Sequence, residues 1–205
     1  MKMEENIRQD HILDAAIRRF SHFGIRKTTL TEIADDLSLT KQGFAYYFHD
    51  KASLVTAVAE KIMNEYLERL QSAFEKCTTT MDALYQIIEV RKEYFRNYRL
   101  LALQDIKVEF SQFKLLYPVI NTGRSRQLKL VASLLAAASA RGEILVQNPT
   151  RTAKVLLETL SSIEHSTGQK SCIPDENEFK RLFEFQKEVL TLFFTGLRPL
   201  TDSRH

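Results

Sequence analysis

The chain opens with apolar residues that recur at the spacing of one helix face. Most of them are three or four residues apart, which places them on one side of an α-helix. Gly24 follows directly, and a glycine at this position commonly ends a helix because it adopts a positive φ without strain. The pattern predicts an amphipathic helix over residues 7–23. Its inward residues are Ile12, Ala15, Ala16, Phe20 and Phe23.

A capping box predicts the second helix. Thr29 stands three residues before Glu32, the spacing at which each side chain caps a backbone N–H of the other residue. The helix that this pair opens covers about residues 30–36, and Ser38 and Leu39 form the turn after it. A helix this short buries little surface, but it can hold one face rigidly.

Two further helices follow the turn. Thr40 is a suitable N-cap for a helix over about residues 41–47, and Asp50 caps a longer helix that starts near Lys51. Two short helices joined by a tight turn predict a helix-turn-helix, whose second helix fits the major groove of DNA.

The rest of the chain shows the same helical spacing over longer segments. Asn148 and Pro149 form an N-cap followed by a first-turn proline, and residues 166–175 are predicted as a loop. The sequence therefore predicts an all-α fold, with a three-helix head on a larger helical body. The helices predicted in the body cover about 81–98, 100–115, Pro118 to Ala140, Pro149 to Ile163, and 176–196.

Charge changes the picture of the head. The chain has 205 residues and a net charge of +3, and this length can bury a substantial core. Residues 1–60, however, hold eight Lys or Arg against nine Asp or Glu, a net charge of −1. If this head binds DNA, it does so through locally placed groups and not through a bulk positive field.

Several classes of protein find no support in the sequence. No apolar run approaches the roughly 18 residues that cross a bilayer, and MKMEENIRQDHI lacks the apolar segment of a secretory signal. We therefore expect a cytoplasmic protein with no membrane partner. The five histidines show no paired metal spacing, and there is no P-loop, G-x-S-x-G or Rossmann glycine set. We expect neither an enzyme nor a bound metal or cofactor.

Three segments of the head carry a family resemblance: ILDAAIRRF, FGIRKTTLTEIA and LSLTKQGFAYYFHDKASL. In order and spacing they resemble the TetR family of bacterial one-component transcriptional regulators, of the AcrR-like kind. The resemblance implies a helix-turn-helix DNA-binding domain over residues 1–52, with a connecting helix from about residue 51. It implies a helical effector-binding and dimerisation domain over residues 53–205.

The family also implies a function. The expected protein is a ligand-responsive DNA-binding regulator, in the simplest case a repressor that a small, mainly apolar effector releases from a near-palindromic operator. Its partners would be an operator in double-stranded DNA, a second copy of the chain in a homodimer, and the effector. A two-fold dimer places two recognition helices about one DNA turn apart.

Two positions depart from the family pattern. Ser38 stands where glycine is usual in the turn, at a cost of about 1 kcal/mol if the backbone there has a positive φ. Ala45 stands at the first position of the usual tyrosine pair, where the family's tyrosine hydroxyl commonly binds a phosphate. Tyr46, Tyr47 or His49 would have to compensate.

The resemblance implies a set of phosphate contacts. Lys51 begins its helix, where backbone N–H groups and the positive end of the helix dipole also favour an anion. Thr29 and Thr40 are N-caps by local logic; they act either as caps alone or as caps that also donate to phosphate.

A second set faces the bases. Lysine donates to guanine and glutamine pairs with adenine, so Lys41 and Gln42 are the expected base readers, with Tyr46 and Tyr47 beside them. Gly43 costs roughly 1 kcal/mol relative to alanine inside a helix. Either close approach to DNA or a locally frayed helix explains it.

The body supplies the effector pocket and the dimer interface by resemblance. The pocket would be mainly apolar, with aromatic walls and a few polar groups, although aromatic residues at helical spacing are core by default. The candidate pocket residues are Arg91, Phe95, Tyr98, Gln104, Phe110, Phe113 and Tyr117. The candidate interface residues, on the last two helices, are Leu156, Leu160, Ile163, Phe183, Gln186, Leu190 and Phe193.

One alternative function stays open. The neutral head and Ala45 are also compatible with a helical interaction module whose head binds DNA with weak or lost sequence specificity.

Overall fold

The computed structural model describes residues 2–103, 110–168 and 176–199. Over these ranges the chain forms eight α-helices and no strand, which confirms the predicted all-α fold. The helices are α1 (Lys2–Phe23), α2 (Leu30–Asp36), α3 (Lys41–Tyr47), α4 (Lys51–Lys76), α5 (Thr80–Leu103), α6 (Phe110–Ala140), α7 (Pro149–Gly168) and α8 (Glu176–Gly196).

The chain divides into two compact units. The first comprises Met1–Tyr66 and Glu93–Gly123, and the second comprises Leu67–Lys92 and Arg124–His205. The boundaries fall inside α4, α5 and α6. A functional division between residues 52 and 53 stays a prediction.

A single hydrophobic cluster organises the head. Its buried members come from α1 to α4 and from the loops after α1 and α3, and α1 packs on α2 while α2 packs on α3. Phe20 of α1, Ile33 of α2 and Leu54 of α4 are fully buried. Phe44 of α3 is 3% exposed and holds that short helix against the core. Because its apolar side is fixed in this way, α3 presents a constant outer face.

Gly123 of α6 allows another close approach within the first unit. A Cβ atom at this position would overlap Met63 of α4 at both its Cγ and Sδ atoms. The backbone of Gly123 is buried, so the two helices meet where one of them has no side chain.

The break predicted between residues 98 and 100 is a kink within one helix. α5 continues to Leu103, and Tyr98 departs from helical geometry with φ −114° and ψ 15°. Tyr98 remains packed against Tyr94, whose ring also meets Tyr66 of α4 at 5.3 Å. The remainder of the helix predicted over 100–115 falls partly on residues 104–109, outside the described ranges.

The prediction that Pro118 begins a helix is wrong. Pro118 lies inside α6, which starts at Phe110. A proline inside a helix leaves the carbonyl four residues earlier without its N–H partner. Here both Pro118 and Lys114 are exposed, so water can satisfy that carbonyl and the helix continues.

The predicted start of α7 is confirmed. The Arg151 N–H donates to the Asn148 side-chain oxygen at 2.9 Å, and Pro149 is the first helical residue. The predicted loop over 166–175 starts later, because α7 continues to Gly168. Residues 169–175 lie outside the described ranges.

The second unit buries apolar side chains from α4 to α8, and α7 packs directly on α8. Gln186 is fully buried among them. Its Nε2 donates to the Leu160 carbonyl at 2.9 Å and to Glu164 Oε1 at 3.0 Å, which fixes α8 on α7.

None of the described helices combines the length and the apolar character that crossing a membrane requires.

Candidate nucleic-acid interface and cavity

The predicted capping box forms at the start of α2. The Glu32 N–H donates to Thr29 Oγ1 at 3.2 Å, and the Thr29 N–H donates to Glu32 Oε2 at 2.7 Å. The Thr29 backbone N–H and the Thr29 hydroxyl both lower the pKa of Glu32. The cap role of Thr29 is therefore confirmed, and a phosphate contact by the same hydroxyl stays a prediction.

The turn between α2 and α3 has a positive φ at Ser38, the conformation that favours the glycine usual in the family at this position. Ser38 has φ 53°, the left-handed region that ordinary side chains rarely adopt. The Leu39 N–H donates to the Ala34 carbonyl at 2.9 Å and closes the turn. Ser38 therefore occupies a strained position, as expected from its departure from the family pattern.

Thr40 caps α3, as predicted. The Gly43 N–H donates to Thr40 Oγ1 at 3.0 Å. A Cβ atom on Gly43 would stand 3.1 Å from that same oxygen, a distance that would require the cap to shift. The cap thus supplies a local reason for glycine that the sequence did not suggest.

The outer face of α3 carries the predicted base readers. Lys41, Gln42, Ala45 and Tyr46 are exposed, and Tyr47 is half-buried. Tyr46 is 71% exposed, an unusual state for so large an aromatic residue. The predicted residues therefore share a solvent-facing surface, and their contact with bases stays a prediction.

Tyr46 has a partner that sequence reasoning missed. Its hydroxyl donates to Glu5 Oε1 of α1, and this hydrogen bond, together with the negative charge of Glu5, raises the pKa of Tyr46. The Tyr46 and Tyr47 rings meet edge to face at 5.1 Å. No local sequence signal links positions 5 and 46, because only the packing of α1 beside α3 brings them together.

Lys51 begins α4, as predicted, and also holds the loop after α1. Its Nζ donates to the Arg26 carbonyl at 3.3 Å. Asp50 caps the same helix by accepting from the Ser53 N–H at 2.7 Å, and this bond lowers the pKa of Asp50. The lysine ammonium therefore stands at a helix N-terminus beside the loop.

An ion pair fixes α2 on α1. Arg19 Nε and Nη2 donate to the two carboxylate oxygens of Asp36 at 2.5 and 2.8 Å, a bidentate arrangement. The Arg19 hydrogen bonds are the main cause that lowers the pKa of Asp36. Arg19 Nη1 also lies 3.5 Å from Glu32, so this arginine holds the two helices together.

The head cluster begins at Ile12 and ends at Val58. The sequence model described as "Bacterial regulatory proteins, tetR family" matches residues 12–58. Over these residues the head matches the TetR family. The TetR-type match therefore coincides with one folded core, and it confirms the resemblance read from the sequence.

Curated relatives match a longer stretch of the chain than the family model does. The HTH-type transcriptional regulator RutR of Escherichia coli K12 is 34% identical over 87 residues, which are 42% of this chain and 41% of RutR. The matched segment thus spans about two fifths of the length of that relative.

Solved structures with the same fold cover nearly the whole chain. A transcriptional regulator from Cytophaga hutchinsonii has a TM-score of 0.82 at 23% identity, over 92% of this chain and 97% of that one. FadR from Bacillus subtilis, solved in complex with stearoyl-CoA, has a TM-score of 0.62 at 16% identity, over 92% of this chain and 98% of FadR. The TetR-type head thus continues into a helical body whose fold is shared with these regulators.

The predicted effector pocket is not assembled as a set by the described side chains. Gln104 and the side chains of Phe95, Phe110 and Phe113 lie outside them. Tyr117 is 58% exposed.

The other two candidates have different surroundings. Tyr98 stacks on Tyr94 in the first unit, and burial raises its pKa. Arg91 lines a cavity of about 790 Å³ within the second unit. Residues from α5, α6 and α7 form this cavity. No aromatic residue is among the described residues that line it, whereas the sequence predicted aromatic walls.

Most of the predicted dimer-interface residues are buried within a single copy of the chain. Leu156, Leu160, Phe183, Gln186 and Leu190 are buried within one copy, because α7 and α8 use these positions to pack on their own neighbours. Ile163 and Phe193 are half-buried.

The exposed apolar residues of the same two helices are different ones. Val155 is 49% exposed, Phe185 52% and Leu192 73%. Phe185 and Leu192 are seven residues apart, on one face of α8. A dimer interface on α7 and α8 stays a prediction, and these are the side chains free to form it.

The described side chains include no group of three His, Cys, Asp or Glu that is placed to hold a metal ion.

Proposed function

We propose that the chain is a DNA-binding transcriptional regulator that acts as a homodimer on a near-palindromic operator and is released from it by a small-molecule effector. The observation that carries this proposal is the outer face of α3. Lys41, Gln42 and Tyr46 are exposed on a helix that its own buried Phe44 holds rigidly. Solvent-facing donors on the second helix of a helix-turn-helix suit readout of base edges in the major groove.

Phosphate contacts would position this helix. Lys51 stands at the N-terminus of α4, where the ammonium and the helix dipole favour the same anion. The head has no bulk positive charge. Affinity therefore depends on a few such groups, doubled in a dimer.

The body supports the regulatory part of the proposal. Its cavity of about 790 Å³ is within the range that holds small ligands. The exposed Phe185 and Leu192 supply apolar surface for a second copy. The fold shared with FadR, which was solved with a ligand, agrees with an effector site in the body.

Selection from random-sequence DNA tests the function directly. The full chain is incubated with a random duplex library at fixed salt, and bound DNA is recovered and sequenced. A regulator enriches a near-palindrome whose half-sites are about one helical turn apart. Enrichment of no sequence would contradict the proposal.

The same experiment addresses the second candidate function. The net charge of −1 over residues 1–60 and the loss of the tyrosine hydroxyl at Ala45 favour an interaction module with a weak head. Such a protein would retain DNA at low salt without preference for sequence, and would lose it steeply as salt rises.

A further inference from the structure

The cavity of the second unit is lined by an unequal set of charges. Arg91 of α5, Arg124 of α6 and Lys154 of α7 face a single carboxylate, that of Glu158. Lys154 and Glu158 form an exposed pair at 3.8 Å, which water screens strongly. Glu164, just outside the lining, pairs with Arg91. One positive charge therefore remains in excess, and an anion is the ligand that such a cavity favours.

The remaining lining residues are both apolar and hydroxyl-bearing. Leu157 is 9% exposed and, with Leu128, contributes apolar surface. Lys154, Leu157 and Ser161 recur at helical spacing on one face of α7, so this helix gives the cavity a cation, an apolar group and a hydroxyl. A ligand that matches this lining has an anionic group and an apolar part.

Arg91 retains donor capacity. Its Nη2 donates to Ser161 Oγ at 3.1 Å, and its Nη1 lies 3.4 Å from Glu164 Oε1. That Nη1 is buried, and it makes no hydrogen bond to the described residues, since its contact with Glu164 is an ion pair without hydrogen-bond geometry. A carboxylate or phosphate is the acceptor that suits a guanidinium best, because it can take two parallel N–H bonds.

Arg91 is also connected to α8. Glu164, its ion-pair partner, accepts a hydrogen bond from the buried Gln186 at 3.0 Å. The Gln186 Oε1 atom has no described partner of its own. A ligand anion that draws Arg91 away from Glu164 would change the bonds that fix α8 on α7.

We propose that this cavity binds an amphipathic anion, a molecule that joins a carboxylate or a phosphate group to an apolar chain. Arg91, Arg124 and Lys154 bind the anionic group, and Leu128 and Leu157 contact the chain. As a statement about the effector, the inference rests on the proposed DNA-binding function. As a statement about a binding site, it stands on the cavity alone.

Calorimetric titration of the full chain with four probes of equal chain length tests the site. The probes are octanoate, octyl phosphate, octan-1-ol and octyltrimethylammonium. We expect octanoate, octyl phosphate or both to bind with a Kd at least about tenfold lower than the alcohol and the cation, the effect of one charge-assisted hydrogen bond. The difference between the two anions identifies the head group.

Matched variants locate the site. Lys154→Gln and Arg124→Gln should each weaken anion binding by about tenfold. Lys180→Gln is the control, because Lys180 and Glu184 form an equally exposed helical pair at 3.8 Å outside the cavity. Arg91 is left unchanged, since its bond to Ser161 also holds α5 on α7.

Three results would overturn the proposal. They are failure of both anions to bind, equal binding of the alcohol or the cation, and an effect of Lys180→Gln as large as that of Lys154→Gln. Because calorimetry uses no DNA, failure of the site is distinguishable from failure of the DNA selection. Adding the bound anion to the protein–DNA complex then tests the effector role, and unchanged DNA affinity would refute that role.

Discussion

Ser38 is the residue at which this head departs most clearly from favourable backbone geometry. Its φ of 53° lies in the left-handed region, which costs a residue with a side chain roughly 1–2 kcal/mol. The turn between α2 and α3 therefore carries a small destabilisation that is local to the recognition helix.

We expect Ser38→Gly to raise the free energy of unfolding by up to about 1 kcal/mol, after the larger chain entropy of glycine is deducted. Urea denaturation followed by circular dichroism measures this change. Ser133→Gly, an exposed site within α6, is the control and should destabilise by about 0.5 kcal/mol. Loss of stability in both variants would refute the strain at Ser38.

Glu5 is a single residue that is expected to affect DNA binding. It accepts a hydrogen bond from the exposed Tyr46 hydroxyl, and it places a negative charge beside the face that would meet DNA phosphates. Binding to DNA must therefore overcome this repulsion or break the bond.

Glu5→Gln should strengthen DNA binding about fivefold, since removing one like charge at close range is worth about 1 kcal/mol. Fluorescence anisotropy at constant salt measures the affinity. Glu4→Gln makes the same change in net charge one residue away, and a smaller gain there is expected. Equal gains in the two variants would show that bulk charge, and not the Tyr46 contact, is responsible.

At the scale of elements, the N-terminus of α4 is where the phosphate prediction can be separated from base reading. Lys51→Ala should weaken binding to every sequence alike and reduce the slope of log affinity against log salt by about 1. Lys41→Ala, on the outer face of α3, should instead relax the preference at one base position. The measurement is affinity for the selected operator and for its single-base variants over a range of salt. A base-specific effect of Lys51→Ala would contradict its phosphate role.

The contact between α1 and α2 should depend on pH. Arg19 lowers the pKa of Asp36, and Thr29 lowers that of Glu32, so both carboxylates hold fewer protons in the folded state than in the unfolded one. Their contribution is therefore fully present above their ordinary pKa values of 3.8 and 4.5, and it is lost as the pH falls through the lowered values.

Unfolding free energies measured between about pH 6 and pH 3 should fall toward acid. Asp36→Asn should be less stable at neutral pH and should show a shallower decline, because it cannot form the ionic contact with Arg19. A decline as steep as that of the wild type would mean that this contact does not control acid stability.

At the scale of the whole molecule, the question is where a second copy docks. Most of the interface residues predicted from the sequence are buried within a single copy of the chain. The apolar surface left over on α8 is Phe185 and Leu192.

Leu192→Asp should convert a dimer into a monomer, since it places a charge in an apolar contact. Sedimentation equilibrium or light scattering measures the mass in solution. Leu145→Asp is the control, because Leu145 is 66% exposed and lies outside α7 and α8. An unchanged mass for Leu192→Asp would show that the dimer interface does not include Leu192.

Local signals in the sequence determined much of this protein by themselves. The capping box at Thr29, the caps at Thr40 and Asp50 and the start of α7 at Pro149 all depend on residues within four positions of one another, so they could be read correctly from the chain alone. The same short-range pattern identified the TetR-type head. Pro118 was misread, because whether a proline ends a helix depends on whether water can reach the carbonyl that it leaves unpaired.

Only the tertiary structure decided the rest, because the relevant partners are far apart in the chain. Glu5 meets Tyr46 across two helices, and Arg91 meets Glu164 and Ser161 across 70 residues or more. Helical periodicity shows that a face is apolar, but it cannot show whether that face is covered by the same chain or remains for a partner. For that reason the dimer interface predicted from the sequence included leucines that are buried within one chain, and the predicted effector pocket was mainly apolar. Packing instead left Phe185 and Leu192 exposed and lined the cavity with cations.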